Sequence, residues 1–241
     1  QERAIVNDSP GTTRDPLDTH ITYNGQETLI IDTAGIRRRG KISPGIERYS
    51  ALRAIRAIDR ADVAILVMDA SELATAQDSH IVSYILDSYK GILLAINKWD
   101  LASEMMLSKE QAANTVRERF KFAPYAPICY VSALQRLGIE SLLDTAQTVA
   151  LEWNKTLPRH GLKRTILDAL SRNPPPSAGR HAIKVYGVTQ DQASPPSFTF
   201  YVNRSDMVHF SYRRYLENTL RQAYGFHGTP LKVRFKGRGE K

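Results

Sequence analysis

Apolar and polar positions between 63 and 156 alternate in a strand-then-helix rhythm. Short unbroken apolar runs at 63–68, 91–96 and 127–131 predict strands buried in a parallel sheet. Each is followed by a stretch with apolar residues at helical spacing, 76–89, 109–120 and 139–156, so the pattern predicts an α/β layer with helices covering the sheet. Ahead of it, 19–23 and 28–31 flank Asn24-Gly25, a hairpin turn signal, and 46–60 predicts a helix. The opening 9–15 (SPGTTRD) has the Pro, Gly and hydroxyl content of a mobile loop. Beyond 156 the rhythm changes: helix 159–171, a Pro-rich turn at 173–177, strands 182–188 and 198–202, helix 212–224 and strand 231–235 predict a small α+β layer. Two domains follow, 1–155 and 156–241.

Charge sharpens that division. Residues 1–154 carry 17 Lys and Arg against 20 Asp and Glu, a net of −3, whereas 155–241 carry 16 against 5, a net of +11. A basic final third points to a polyanionic partner such as RNA. At 42% hydrophobic and 24% charged the chain is globular in composition, and no apolar run approaches the ~18–20 residues of a membrane span, so no membrane partner is expected. The single cysteine, Cys129, fits a reducing, cytoplasmic setting, and the six histidines lack metal-ligand spacing. The chain opens on Gln1 without a methionine or signal-peptide layout, and is expected to be a fragment of a longer protein.

Candidate chemistry lies at the ends of the predicted strands. Asn97-Lys98-Trp99-Asp100 closes the run 91–96, at the carboxyl end where open α/β sheets bind ligands. Guanine offers two parallel donors, N1–H and the exocyclic amine, that the Asp100 carboxylate can accept together; adenine does not. A site built for those donors rejects a ligand lacking them by roughly 10⁴-fold. Asn97 is expected to brace the loop and the Lys98 stem to lie across the base with its ammonium in water; a chance surface turn is the plain alternative for four residues taken alone. Asp32-Thr33-Ala34-Gly35, followed by Ile36, ends the second hairpin strand. Asp32 can hold Mg²⁺ directly or through water, and Gly35 lets a backbone N–H approach a terminal phosphate. Thr12 or Thr13, with Thr13 preferred, can place a hydroxyl on the same Mg²⁺ and order the opening loop as a switch. Ser132-Ala133 follows the last strand of the first domain, where a backbone N–H can donate to guanine O6. Found in this order beside strand ends, these segments mark a domain for GTP or GDP with Mg²⁺.

The segments PGTTRD, DTAGIRRRGK, ERYSALRAIRAIDRAD, VMDA and NKWD together resemble the second GTPase domain of the Der (EngA) family of bacterial ribosome-assembly GTPases. The resemblance continues through GTPLKVRFKGR, similar to that family's C-terminal KH-like domain. It implies a P-loop-type GTPase fold followed by a KH-like domain, GTP hydrolysis with potassium as a further cation, and a role in maturing the large ribosomal subunit with ribosomal RNA as partner. Family proteins carry an additional N-terminal GTPase domain that is missing here. The first strand and P-loop of the second domain are missing as well: no GxxxxGK[ST] precedes PGTTRD, and Gly35 to Lys41 is a decoy because Ile42 replaces the Ser or Thr. A P-loop supplies the amides and lysine that hold phosphates, so this chain alone is expected to bind GTP weakly and to expose strand edges.

No catalytic base is nominated. Ile36, after DTAG, can neither donate nor accept a hydrogen bond, so hydrolysis rests on electrostatics. In the basic module Arg213, Arg214, Arg221, Lys232, Arg234, Lys236 and Arg238 are candidates for RNA phosphates, with 232, 234 and 236 on one strand face. Gly225-Phe226-His227-Gly228 spells the KH clamp GxxG, but it joins a helix to a strand, which favours a helix-ending glycine turn. The competing reading of the chain is a non-hydrolysing remnant that binds RNA or the ribosome.

Overall fold

Asn24 and Gly25 both take positive φ, 49° and 76°, as a two-residue hairpin loop requires. In this computed structural model, which describes residues 4–6, 18–32, 54–175 and 182–237, they join β2 (Asp18–Tyr23) to β3 (Gln26–Ile31). A strand the patterning missed, β1 (Ala4–Val6), pairs antiparallel with β2; three residues are too few to show a period. Helix α1, described over 54–60, buries Ala54, Ala57 and Ile58 at helical spacing. The rest of the predicted helix 46–60 lies outside the described residues. These elements fall in the first of two compact units, Gln1–Asp62.

The second unit, Val63–Lys241, opens with the expected alternation: β4 (Val63–Asp69), α2 (Ala76–Asp87), β5 (Gly91–Asn97), α3 (Lys109–Arg119), β6 (Ile128–Tyr130) and α4 (Ile139–Trp153). The strands form a parallel sheet in the order β4-β5-β6. Central β5 is buried at six consecutive positions, Gly91 to Ile96, which is why it reads as an unbroken apolar run. On β4, Ile65 and Val67 are exposed. Capping boxes start α2 (Thr75 with Asp78) and α3 (Ser108 with Gln111), satisfying amides that a helix's first turn leaves open.

The final third folds as α5 (Arg159–Arg172), β7 (Val185–Gln192), β8 (Ser197–Val202), α6 (Phe210–Tyr224) and β9 (Lys232–Gly237). Its sheet has the order β7-β8-β9, with β7 antiparallel and β9 parallel to β8. Phe198 and Phe200 of β8 pack with Leu162, Ile166, Leu216 and Phe226 in one core. β7 lies later than the predicted 182–188. Its polar end, Thr189 to Gln192, stays in the strand because β8 continues to pair with it, and backbone pairing does not require apolar side chains.

The turn after α6 docks this third onto the parallel sheet. Gly225 and Gly228 take positive φ, 89° and 64°, which ends the helix and drops Phe226, fully buried, into the core. The Gly228 N–H donates to the Tyr125 carbonyl (2.9 Å), and the Ile92 N–H of β5 donates to the Gly228 carbonyl (2.7 Å). Glu152 of α4 accepts from the Phe226 N–H (2.5 Å) and from Lys155 (2.5 Å), which also reaches the Tyr224 carbonyl (2.8 Å). Arg221 stacks 3.6 Å over the Tyr125 ring and donates to the Phe226 carbonyl (2.9 Å). Arg221 is therefore a post of this joint, not the RNA-facing cation expected from its charge. Burial lowers its pKa and pushes the Tyr125 hydroxyl up to about 12. GxxG here is a helix-ending turn that serves as a hinge pin between two modules.

Candidate functional site

The tips of β4 and β5 lie side by side, Asp69 opposite Asn97. Beyond Asn97 the chain reverses through Lys98, at φ 61° and ψ 34°, into a short helical turn, Trp99–Leu101. A left-handed lysine costs about 1–3 kcal/mol and persists only where neighbours over-determine it. Those neighbours are plain: the Ala70 N–H donates to the Asn97 carbonyl (2.9 Å), the Trp99 N–H to the Val131 carbonyl (3.0 Å), and the Val131 N–H to the Ile96 carbonyl (2.9 Å). The Trp99 ring packs against Tyr130 with centroids 4.5 Å apart.

This scaffold aims Asp100 into the corner. Its Oδ1 is buried and has no hydrogen-bond partner among the described residues. An unpaired buried acceptor costs about 1–3 kcal/mol, more when charged, so a donor brought by a ligand or by solvent is favoured there. Asn97 braces the neighbouring loop: its Oδ1 accepts from the Ala133 N–H at 3.0 Å.

Ser132, Ala133 and Lys98 all have partners within the protein. The Ser132 N–H donates to the Leu137 carbonyl (2.9 Å) and the Ala133 N–H to Asn97, so both amides nominated for guanine O6 are spent in closing the 132–137 loop. Gly138, at φ 73°, anchors that loop; a Cβ there would lie 2.3 Å from the Tyr130 carbonyl oxygen. The Lys98 side chain, expected to keep its ammonium in water, is 56% exposed, and the ammonium also lies 2.6 Å from Asp69 Oδ2. The opposite oxygen, Asp69 Oδ1, accepts from the Ser71 N–H (2.9 Å) and hydroxyl (2.7 Å).

Asp69 is the residue that sequence reasoning missed; its signal was an aspartate ending the strand beside the one that carries Asn97. The Lys98 hydrogen bond, opposed by partial burial, holds its carboxyl below the usual carboxylate range, and Asp69 in turn raises the Lys98 pKa. The depressed carboxyl contributes stability at neutral pH that is lost as pH falls through its folded value, below ~3.9; the raised ammonium contributes below ~10.4 and loses it as pH climbs past its folded value. Replacing Asp69 with Asn frees Lys98 and is expected to weaken guanine-nucleotide binding by about twofold to fivefold, the scale of a partly exposed ion pair. Titration with a fluorescent GDP analogue measures it; unchanged affinity would leave the pair a role in loop stability alone.

In the first unit, Asp32 is exposed just past β3. Thr12, Thr13, Thr33, Ala34, Gly35 and Ile36 lie outside the described residues, as does Arg238. Among the described residues no group of three or more His, Cys, Asp or Glu side chains is placed to hold a metal ion, and no helix is long and apolar enough to cross a membrane.

Of the remaining basic candidates, Arg213 is tied down, donating to the Val233 carbonyl and lying 3.8 Å from Glu217. Arg214 is exposed. On β9, Val233 is buried and Phe235 packs on the core, so Lys232, Arg234 and Lys236 share the opposite face. Lys232 also sits 5.2 Å over the Tyr89 ring.

Residues 1–98 match the family described as 50S ribosome-binding GTPase, and 157–236 match the KH-domain-like family of EngA bacterial GTPase enzymes, C-terminal. The chain is 48% identical to GTPase Der of Thermomicrobium roseum over 99% of this chain and 52% of that protein. It is 46% identical to GTPase Der of Chloroflexus aggregans over 100% of this chain and 54% of that protein. Thus the chain spans about half the length of the curated relatives it matches. Among solved structures, Era in complex with MgGDPNP and nucleotides 1506-1542 of 16S ribosomal RNA aligns over 97% of this chain and 84% of that chain, at 17% identity and a TM-score of 0.47.

Proposed function

Since the chain belongs to the GTPase Der family, we propose that it provides the guanine-nucleotide and RNA-binding modules of a GTP-hydrolysing switch in ribosome biogenesis, acting in the cytoplasm on large-subunit assembly. The observation that carries this is the buried, unpartnered Asp100 Oδ1 at the carboxyl end of β5. Guanine fits that acceptor because its N1–H and exocyclic amine are parallel donors. Asn97 holds the 132–137 loop against the corner, and Asp69 fixes Lys98, whose stem can wall the base.

At the phosphate end, Asp32 and Thr13 would hold Mg²⁺, with Thr12 and Thr13 in the switch and Thr33 to Ile36 along the terminal phosphate. When bound, Mg²⁺ offsets phosphate charge; potassium belongs to the proposal as a second cation. Ile36 offers no polar atom to position water, so hydrolysis is slow. The 241 residues contain no GxxxxGK[ST], and the chain grips the nucleotide mainly by its base. In the longer polypeptide, which the half-length match to relatives supports, a further GTPase domain stands N-terminal to this one.

The basic face of β9, with Arg213 and Arg214 on α6 of the same module, is assigned to ribosomal RNA. Replacing Lys232, Arg234 and Lys236 together with Ala should flatten the log-affinity against log-salt slope for RNA by about 2, from ~0.7 per phosphate contact on a single strand. An unchanged slope would remove these residues from the interface. Turnover is tested by Mg²⁺-dependent phosphate release: slow release from GTP and none from ATP supports the switch. RNA binding with no release from GTP instead establishes the non-hydrolysing reading, which the same basic face supports.

A further inference from the structure

The β7-β8-β9 sheet presents two exposed tyrosines on the side away from its helices. Phe198, Phe200 and Val202 of β8 are fully buried and the two phenylalanines face α5 and α6 in the core, so Tyr201, between Phe200 and Val202, points to the other face. Tyr201 is 40% exposed and Tyr186 is 54% exposed. Among the described residues, neither side chain makes a hydrogen bond, ring contact or ion contact.

Register places them together. Tyr201 pairs with Gly187 on β7 and with Lys236 on β9. The ladder is irregular between Val185 and Gly187, and the extra residue is Tyr186, so Tyr186 and Gly187 jointly oppose Tyr201. Gly187 has no side chain, and nothing lies within 4 Å of where a Cβ would stand. A flat space is therefore left open beside the Tyr201 ring. Arg234, the partner of Thr199, and Lys236 line the edge of the same face. Asp191 on β7 is taken up by the hydroxyls of Thr189 (2.8 Å) and Thr199 (2.5 Å).

We propose that this face binds single-stranded nucleic acid, with an unpaired base stacked on Tyr201 beside Tyr186 and the flanking phosphates on Arg234 and Lys236. The inference rests on the RNA-binding reading above and narrows it from RNA in general to an unpaired strand. Aromatic rings beside cations on an open sheet suit bases whose flat faces are free; a duplex keeps those faces stacked and offers only its backbone. An acidic protein would use the cations but has no need of an open slot next to a tyrosine.

The test uses the whole chain and a fluorescein-labelled single-stranded RNA of about 12 nucleotides, within the span of one small binding fold, read by anisotropy beside the same RNA annealed to its complement. Tyr201→Ala is expected to weaken single-strand binding by about fivefold to a hundredfold without changing its salt slope. Tyr201→Phe should stay within about twofold, since the ring face is kept, and neither variant should alter duplex binding. If Tyr201→Ala binds the single strand like the parent while the Lys232, Arg234, Lys236 variant loses affinity, stacking is overturned and general RNA binding stands. If the parent chain binds no RNA, both fail. Loss of self-association in Tyr201→Ala with RNA binding intact would assign the face to a protein and overturn the proposal.

Discussion

Asp100→Asn weakens GDP binding by about a hundredfold or more and shifts preference towards xanthosine nucleotides. Among the described residues the buried Oδ1 is an acceptor without a partner, and guanine supplies two donors to the carboxylate. An amide places its NH₂ against one of them, so a charge-assisted hydrogen bond is replaced by a donor facing a donor; losing two such bonds at ~1.5–3 kcal/mol each gives that factor. Xanthine carries a carbonyl where guanine has its amine, and the same amide NH₂ can donate to it. Competition of GDP and XDP against a fluorescent analogue reads both effects. Equal loss for the two bases would mean that Asp100 shapes the turn and does not touch the base.

The second large effect lies at the joint. Gly228→Ala is expected to destabilise the chain by about 3 kcal/mol, lowering the melting temperature by roughly 6 to 12 °C. Two causes add. At φ 64° any L side chain is strained, and a Cβ would lie 2.5 Å from Val149 Cγ2 and 2.7 Å from the Ile92 carbonyl oxygen. The second is a β5 backbone atom, from the residue whose N–H is bonded to the Gly228 carbonyl, so relief requires the joint to open. Gly25→Ala is the control: its φ is 76°, yet nothing lies within 4 Å of its Cβ position, so strain alone should cost about 1–2 kcal/mol. Thermal unfolding compares them, and similar losses for the two would show that the joint does not carry the stability assigned to it.

Much of the second unit was legible because buried parallel strands write themselves as unbroken apolar runs. Gly91 to Ile96 is one, and the position of Asn97 to Asp100 at its end follows from that run. Lys98 was legible as a wall for the base, but its ion pair was not: Asp69 gains meaning only from the register that sets it opposite Asn97. The acceptors of the Ser132 and Ala133 amides, Leu137 and Asn97, were hidden for a similar reason, since they are set by how the loop closes. Arg221 looked like a surface cation because charge is visible in sequence and burial against Tyr125 is not. The GxxG segment carried one usable cue, its place between a helix and a strand, which correctly favoured a structural turn.

The most direct test of base recognition avoids the phosphates altogether. Saturation-transfer NMR of guanosine and adenosine, each with this 241-residue chain, reports the base corner formed by Asn97, Lys98 and Asp100. Saturation of the guanosine H8 signal, lost in Asp100→Asn and absent for adenosine, is the predicted result; equal saturation of both nucleosides, or none for guanosine, would contradict a guanine site at the end of β5.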